Sequence, residues 1–173
     1  MSAGALLNAT FDHLSDVLVR ALTGLTIEQL RAQPAGPESN PIGWMSWHLT
    51  RGHDSRFSSL SAREHLWVTE GWAEKFGLGV EARGLSATLD EVRAFDPVDA
   101  ETLLGYWSAA RARSSAYLES MSDEELEKPV ARPLPGYPTV RLSIARTASD
   151  TSQHIGQIAY ARGLVDHHGW YGH

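Results

Sequence analysis

Apolar residues recur at three- and four-residue intervals in four stretches of the chain, the spacing of helices that bury one face. Residues 5–22 carry Leu7, Phe11, Leu14, Val17, Leu18 and Ala21 on such a stripe. Thr26-Ile27-Glu28-Gln29 has the form of a capping box and predicts a short helix that Pro34 ends. A loop rich in Pro and Gly follows, at 34–40. Asn40-Pro41 then reads as an N-cap followed by Pro at the first helical position. It predicts a second long helix reaching about residue 60, with Ile42, Trp44, Met45, Trp47, His48 and Leu49 along it.

Between residues 61 and 95 the periodicity weakens. Gly71, Gly77, Gly79 and Gly84 interrupt it, while Trp67, Trp72 and Phe76 keep parts of it apolar. This pattern predicts a structured crossover with one short helix at 71–76. Asp96-Pro97 repeats the Asx-Pro start signal ahead of a third helix through Leu103, Leu104, Trp107, Ala110 and Leu118. Ser122-Asp123-Glu124-Glu125 is a second capping box, opening a helical turn. Pro129, Pro133, Pro135 and Pro138 predict irregular chain, and a fourth helix covers 140–163 with Gly163 placed to end it. No alternating run is long enough to argue for a sheet. The expected architecture is all-α: one four-helix bundle domain over residues 1–173, with long crossover connections.

Composition narrows the chemistry. The 173 residues include no Cys, which excludes disulfides, thiolate zinc sites, iron–sulfur clusters and a cysteine nucleophile. Fifteen Lys and Arg against 21 Asp and Glu give a formal charge of -6, which offers nucleic acid or anionic lipid no electrostatic attraction. No apolar run approaches the roughly 20 residues that a bilayer requires. Met1-Ser2-Ala3-Gly4 lacks the basic start of a leader. A cytoplasmic protein acting on a small molecule is the expectation.

Histidine and carboxylate spacing supplies candidates. Asp150 and His154, four residues apart, project about 40° apart around a helix axis, and Gln157 continues the stripe. Ile144, Ala148, Ile155, Ile158 and Ala159 make the adjoining side apolar, which puts the stripe near a buried seam. A buried carboxylate calls for a cation or several donors. His48 lies in an apolar stretch of the second helix, on a face where Gly52, Ser55 and Ser59 leave room. His53, about 140° round the helix, cannot easily share a site with His48, and Asp54 lies further off that face. Plainer readings stand beside these: Asp150 as a solvated acid, His154 as a satisfied histidine and His48 as a core residue. Taken together, His48, Asp150 and His154 are candidate ligands for Zn²⁺, Fe²⁺ or Ni²⁺, with positions left open for substrate. His13 and His65 are isolated. His167, His168 and His173 lie in a tail whose Trp170 and Tyr171 suit adventitious metal or a partner subunit. There is no nucleophile elbow, phosphate loop, dinucleotide fingerprint or His-Glu-x-x-His motif.

Three segments carry a family resemblance. Asn40-Pro41-Ile42-Gly43-Trp44-Met45-Ser46-Trp47-His48-Leu49-Thr50-Arg51 resembles the second helix of the DinB-like superfamily. Glu70-Gly71-Trp72-Ala73-Glu74-Lys75-Phe76-Gly77-Leu78 resembles the segment that follows in an actinobacterial-type branch, and Gln153-His154-Ile155-Gly156-Gln157-Ile158 its His-x-Gly-Gln signature. The resemblance implies an up-down-down-up bundle, often a homodimer. It also implies a divalent metal, commonly zinc or nickel, held at the positions of His48, Asp150 and His154. The common pattern has His where Asp150 stands; the similar mycothiol-dependent maleylpyruvate isomerases use a carboxylate there.

The leading expectation is a metal-dependent S-transferase or isomerase in which mycothiol or another small thiol binds the metal as thiolate. Gln157 would orient a ligand or substrate beside the metal, Arg51 would meet a substrate carboxylate, and Trp44, Trp47 and Trp72 would wall the pocket. The alternatives are a metal-dependent hydrolase that activates water and a non-catalytic metal-binding stress-response protein.

Overall fold

The computed structural model describes residues 2–167 and 169. Four long helices form where the apolar stripes lie: α1 (Ala3–Leu22), α3 (Ile42–Leu60), α7 (Ala100–Ser120) and α8 (Val140–Val165). The short α2 (Ile27–Arg31) opens on the expected capping box. Thr26 N–H donates to Gln29 Oε1 at 3.0 Å, and Gln29 N–H donates to Thr26 Oγ1 at 3.3 Å. Helices α1 and α3 each pack against both α7 and α8, so they face each other across the bundle diagonal. One apolar core joins Leu18, Leu22, Ile42, Trp67, Tyr106 and Ile158. A second, around Phe11, Phe57, Leu118 and Ile144, fills the other end. Among the described residues no helix is long and apolar enough to cross a membrane.

Several boundaries differ from the expectation, each for a local reason. Pro41, not Asn40, is the N-cap of α3, since its ψ of 148° is extended. The crossover holds three short helices rather than one: α4 (Leu66–Thr69), α5 (Trp72–Lys75) and α6 (Leu89–Ala94). A further capping box, Thr88 with Glu91, starts α6. Helix α7 begins at Ala100 because Asp99 caps it, accepting from Thr102 N–H at 2.7 Å. Asp96 instead pairs with Arg31. The tail calls on His168, Trp170, Tyr171 and His173 lie outside the described residues.

The proline-rich connection corrects the expectation of irregular chain. After a 3-10 turn (Asp123–Glu127), β1 (Pro129–Leu134) and β2 (Tyr137–Thr139) form a two-stranded antiparallel ribbon. Proline is excluded from ladders with a neighbour on each side, but a two-stranded ribbon leaves every strand one open edge. Pro135 and Gly136, the latter at φ +82°, occupy the central positions of the turn, the residue types a type II turn takes.

Candidate functional site

Helix α3 presents two different clusters. Toward α8 it offers His48, whose ring stacks on Trp44 at 4.7 Å between centroids with 10° between planes. From α8, the His154 ring meets His48 edge-on at 5.0 Å. His154 Nδ1 lies 3.1 Å from Gln157 Oε1, an oxygen that only accepts, so Nδ1 carries the proton and Nε2 keeps a lone pair. That Nε2 lies 4.0 Å from Asp150 Oδ2. His48 Nδ1 is buried against the Gly84 backbone without closing a hydrogen bond of normal geometry. Burial, followed by the neighbouring His154, lowers the pKa of His48, while Asp150 pulls it back up. A neutral His48 is the form that ligates a metal.

Three of the predicted residues therefore come together, though not yet as a closed donor set. Among the described residues no three His, Asp or Glu side chains are placed to hold one ion. Asp150 is engaged elsewhere: Arg146, one turn earlier on α8, donates to its Oδ1 at 2.6 Å. Asp150 is also about one-third exposed rather than deeply buried, so its desolvation alone does not demand a cation. Two imidazoles and a nearby carboxylate suit a divalent metal as a donor set, although the three side chains are not gathered around one point. Arg146 occupies Oδ1 of Asp150, while Oδ2 is the oxygen that faces His154.

On its other side α3 carries a sealed cluster that sequence spacing did not find. Asp54 is fully buried. It accepts from Leu66 N–H at 3.1 Å, Trp67 N–H at 3.0 Å, Ser58 Oγ at 3.0 Å and Tyr106 Oη at 2.8 Å. Arg51 and Arg113 flank it at 3.7 and 3.8 Å. Burial and then the Asp54 charge push the Tyr106 phenol up, keeping it the donor. Arg51, expected to meet a substrate carboxylate, lies in this cluster. It donates to Ala82 O at 3.0 Å and lies over the Trp67 ring at 4.7 Å. Trp72 likewise packs on Tyr106, away from the two imidazoles.

His53 is sealed as well. Its Nε2 lies 2.9 Å from Ser114 Oγ, and Phe11, Phe57 and Trp107 surround the ring. Burial first, then Arg111, lowers its pKa to about 3.

Two cavities are lined by neighbours of the imidazole pair rather than by the two rings themselves. One, of about 590 Å³, is walled by Trp44, Trp47, Gly84 and Phe95. The other, of about 150 Å³, lies beside Asp150 and is lined by Gly52, Ser55, Arg56 and Arg146. Of the small residues predicted to leave room on α3, Gly52 and Ser55 line this second cavity and Ser59 does not. Arg83 and Leu85, from the crossover, border both.

Residues 10–158 match the sequence profile of the DinB superfamily. The chain belongs to the DinB superfamily. A solved structure of a conserved protein from Enterococcus faecalis superposes with a TM-score of 0.87 at 25% identity, over 96% of this chain and 99% of that one. No curated protein matched. The DinB superfamily match runs from within α1 to within α8 and so includes His48, Asp150, His154 and Gln157.

Proposed function

We propose that this DinB-superfamily protein is a metal-dependent enzyme that activates a small thiol, such as mycothiol, for S-transfer or isomerisation. The observation that carries the reading is the pairing of His154 with Gln157. The amide oxygen fixes the imidazole tautomer and leaves Nε2 toward Asp150 and the His48 ring, the support that metal-ligating histidines commonly have. His48, Asp150 and His154 would hold the ion, with Zn²⁺ foremost and Ni²⁺ or Fe²⁺ also compatible with two imidazoles and a carboxylate. A bound divalent ion supplies Lewis acidity that lowers the pKa of a thiol.

The chain's own residues do the rest. Trp44 holds the His48 ring by stacking, and burial keeps that ring neutral. Gln157 keeps the proton of His154 on Nδ1. Trp44 and Trp47 wall a largely apolar cavity that would offer a bound thiol and its acceptor an apolar face. With no Cys in the chain, the sulfur must come with a ligand.

Elemental analysis of untagged protein tests the reading. About one divalent ion per chain is expected, lost in His48→Ala and in Asp150→Ala while the helical circular dichroism is retained. Metal-free protein that cannot be reconstituted overturns the metal centre. Ester turnover without any thiol overturns the thiol part and leaves a hydrolase.

A further inference from the structure

The cavity beside Asp150 carries a charge imbalance that the metal reading does not use. Arg56, Arg83 and Arg146 all line it, against the single carboxylate of Asp150. Arg51 also borders it, but Asp54 already balances that guanidinium. Among the described residues Arg56 and Arg83 make no hydrogen bond and no ion pair. Arg56 is partly buried, and burial followed by the charge of Arg146 lowers its pKa. Like charges gathered in a partly desolvated cleft are unfavourable unless an anion joins them, and this chain carries an overall charge of -6. Leu49, Leu85 and Leu134 supply the apolar part of the lining, so an anion entering here can bring a short carbon chain.

We infer that Arg56, Arg83 and Arg146 form a binding site for an oxyanion, the carboxylate or phosphoryl end of a small-molecule ligand. Planar guanidiniums suit such groups because they offer paired donors. Asp150 ties this site to the imidazole pair. Its Oδ1 accepts from Arg146 and its Oδ2 faces His154. If Asp150 held a metal, its charge would be shared between the ion and Arg146, leaving Arg146 freer for an anion; the two bindings would then be coupled, and reciprocally so. The position of the anion relative to the reacting centre rests on the metal reading; the anion site itself does not.

Calorimetric titration of chelator-treated, full-length protein with inorganic phosphate and with succinate tests the site. At least one is expected to bind, and the tighter of the two identifies the oxyanion. Arg56→Met should weaken that binding about tenfold or more. Arg141→Met, whose side chain pairs with Glu127 on the surface, should leave it unchanged. A functional role also predicts that Arg56→Met melts no lower than wild type, since it removes a repelled charge; a structural role would lower the melting point. If Arg56→Met does not fold, Arg83→Met, on the exposed crossover, carries the same expectation. Absence of binding by both anions, or wild-type affinity in the Arg variants, overturns the inference. Because the protein in this titration is metal-free, those results leave the metal centre standing, and unchanged metal content in His48→Ala rejects the metal centre alone.

Discussion

Asp54 and Asp150 are both carboxylates beside arginines, yet they do opposite work. Asp54 has no exposed surface, four hydrogen bonds at 3.1 Å or less and two guanidiniums within 3.8 Å. It has no capacity left for a ligand. Two of its donors are the amides that start α4, so the carboxylate satisfies a helix end and holds the crossover against α3. Asp150 has one strong partner, Arg146, and about a third of its surface remains in water. An acid that is buried and fully bonded is architecture; one that is half-open and bound to an exchangeable cation can take part in chemistry.

Removing each acid tests that contrast most severely. Asp54→Ala leaves two guanidiniums, two amides and a phenol without their shared acceptor. It should cost about 3–5 kcal/mol in a denaturant titration and expose the crossover to proteolysis. Asp150→Ala should cost under about 1 kcal/mol, as a partly exposed ion pair does. Comparable losses at the two positions would erase the distinction.

The two α3 histidines extend it to pH. The folded pKa of His53, about 3, lies below that of the unfolded chain, near 6.5. Its contribution is thus intact above pH 6.5 and falls as pH drops toward 3. By pH 4 the loss should reach about 3 kcal/mol. Stability measured against pH should decline less steeply below 6.5 in His53→Leu. An identical slope in wild type and variant would show that the ring is not held neutral by its burial. His48 is shifted in the same direction, by burial and His154, and Asp150 opposes it.

Gly84 gives the sharpest readout of the open region. Its φ is +65°, and a Cβ there would stand 2.7 Å from the Trp47 ring and 2.9 Å from His48 Nδ1. Gly84→Ala should cost about 1–2 kcal/mol and lower metal affinity by displacing His48. Unchanged melting and metal content would mean that the crossover does not press on the imidazole.

Much of this was legible along the chain, and the omissions have physical causes. Helical periodicity and the capping box at Thr26 placed the long helices and α2, because both signals are local. His48, Asp150 and His154 emerged from spacing on two helices. Asp54 did not, since its donors come from Leu66, Trp67 and Tyr106, and side chains brought together by folding leave no spacing to read. The ribbon leaves no such trace, because proline argues against a strand only where that strand has a neighbour on each side, and neither strand of a two-stranded ribbon does. The Arg146–Asp150 pair, at four-residue spacing, was present in the sequence. Arg56, four residues after Gly52, lay on the face already expected to open.

Arg83 and Leu85 border the arginine-lined cavity and the tryptophan-walled one at once. Preference for charge and preference for size are therefore not independent settings in this protein. A substitution at either position retunes both, and selection for a new ligand would meet that constraint first.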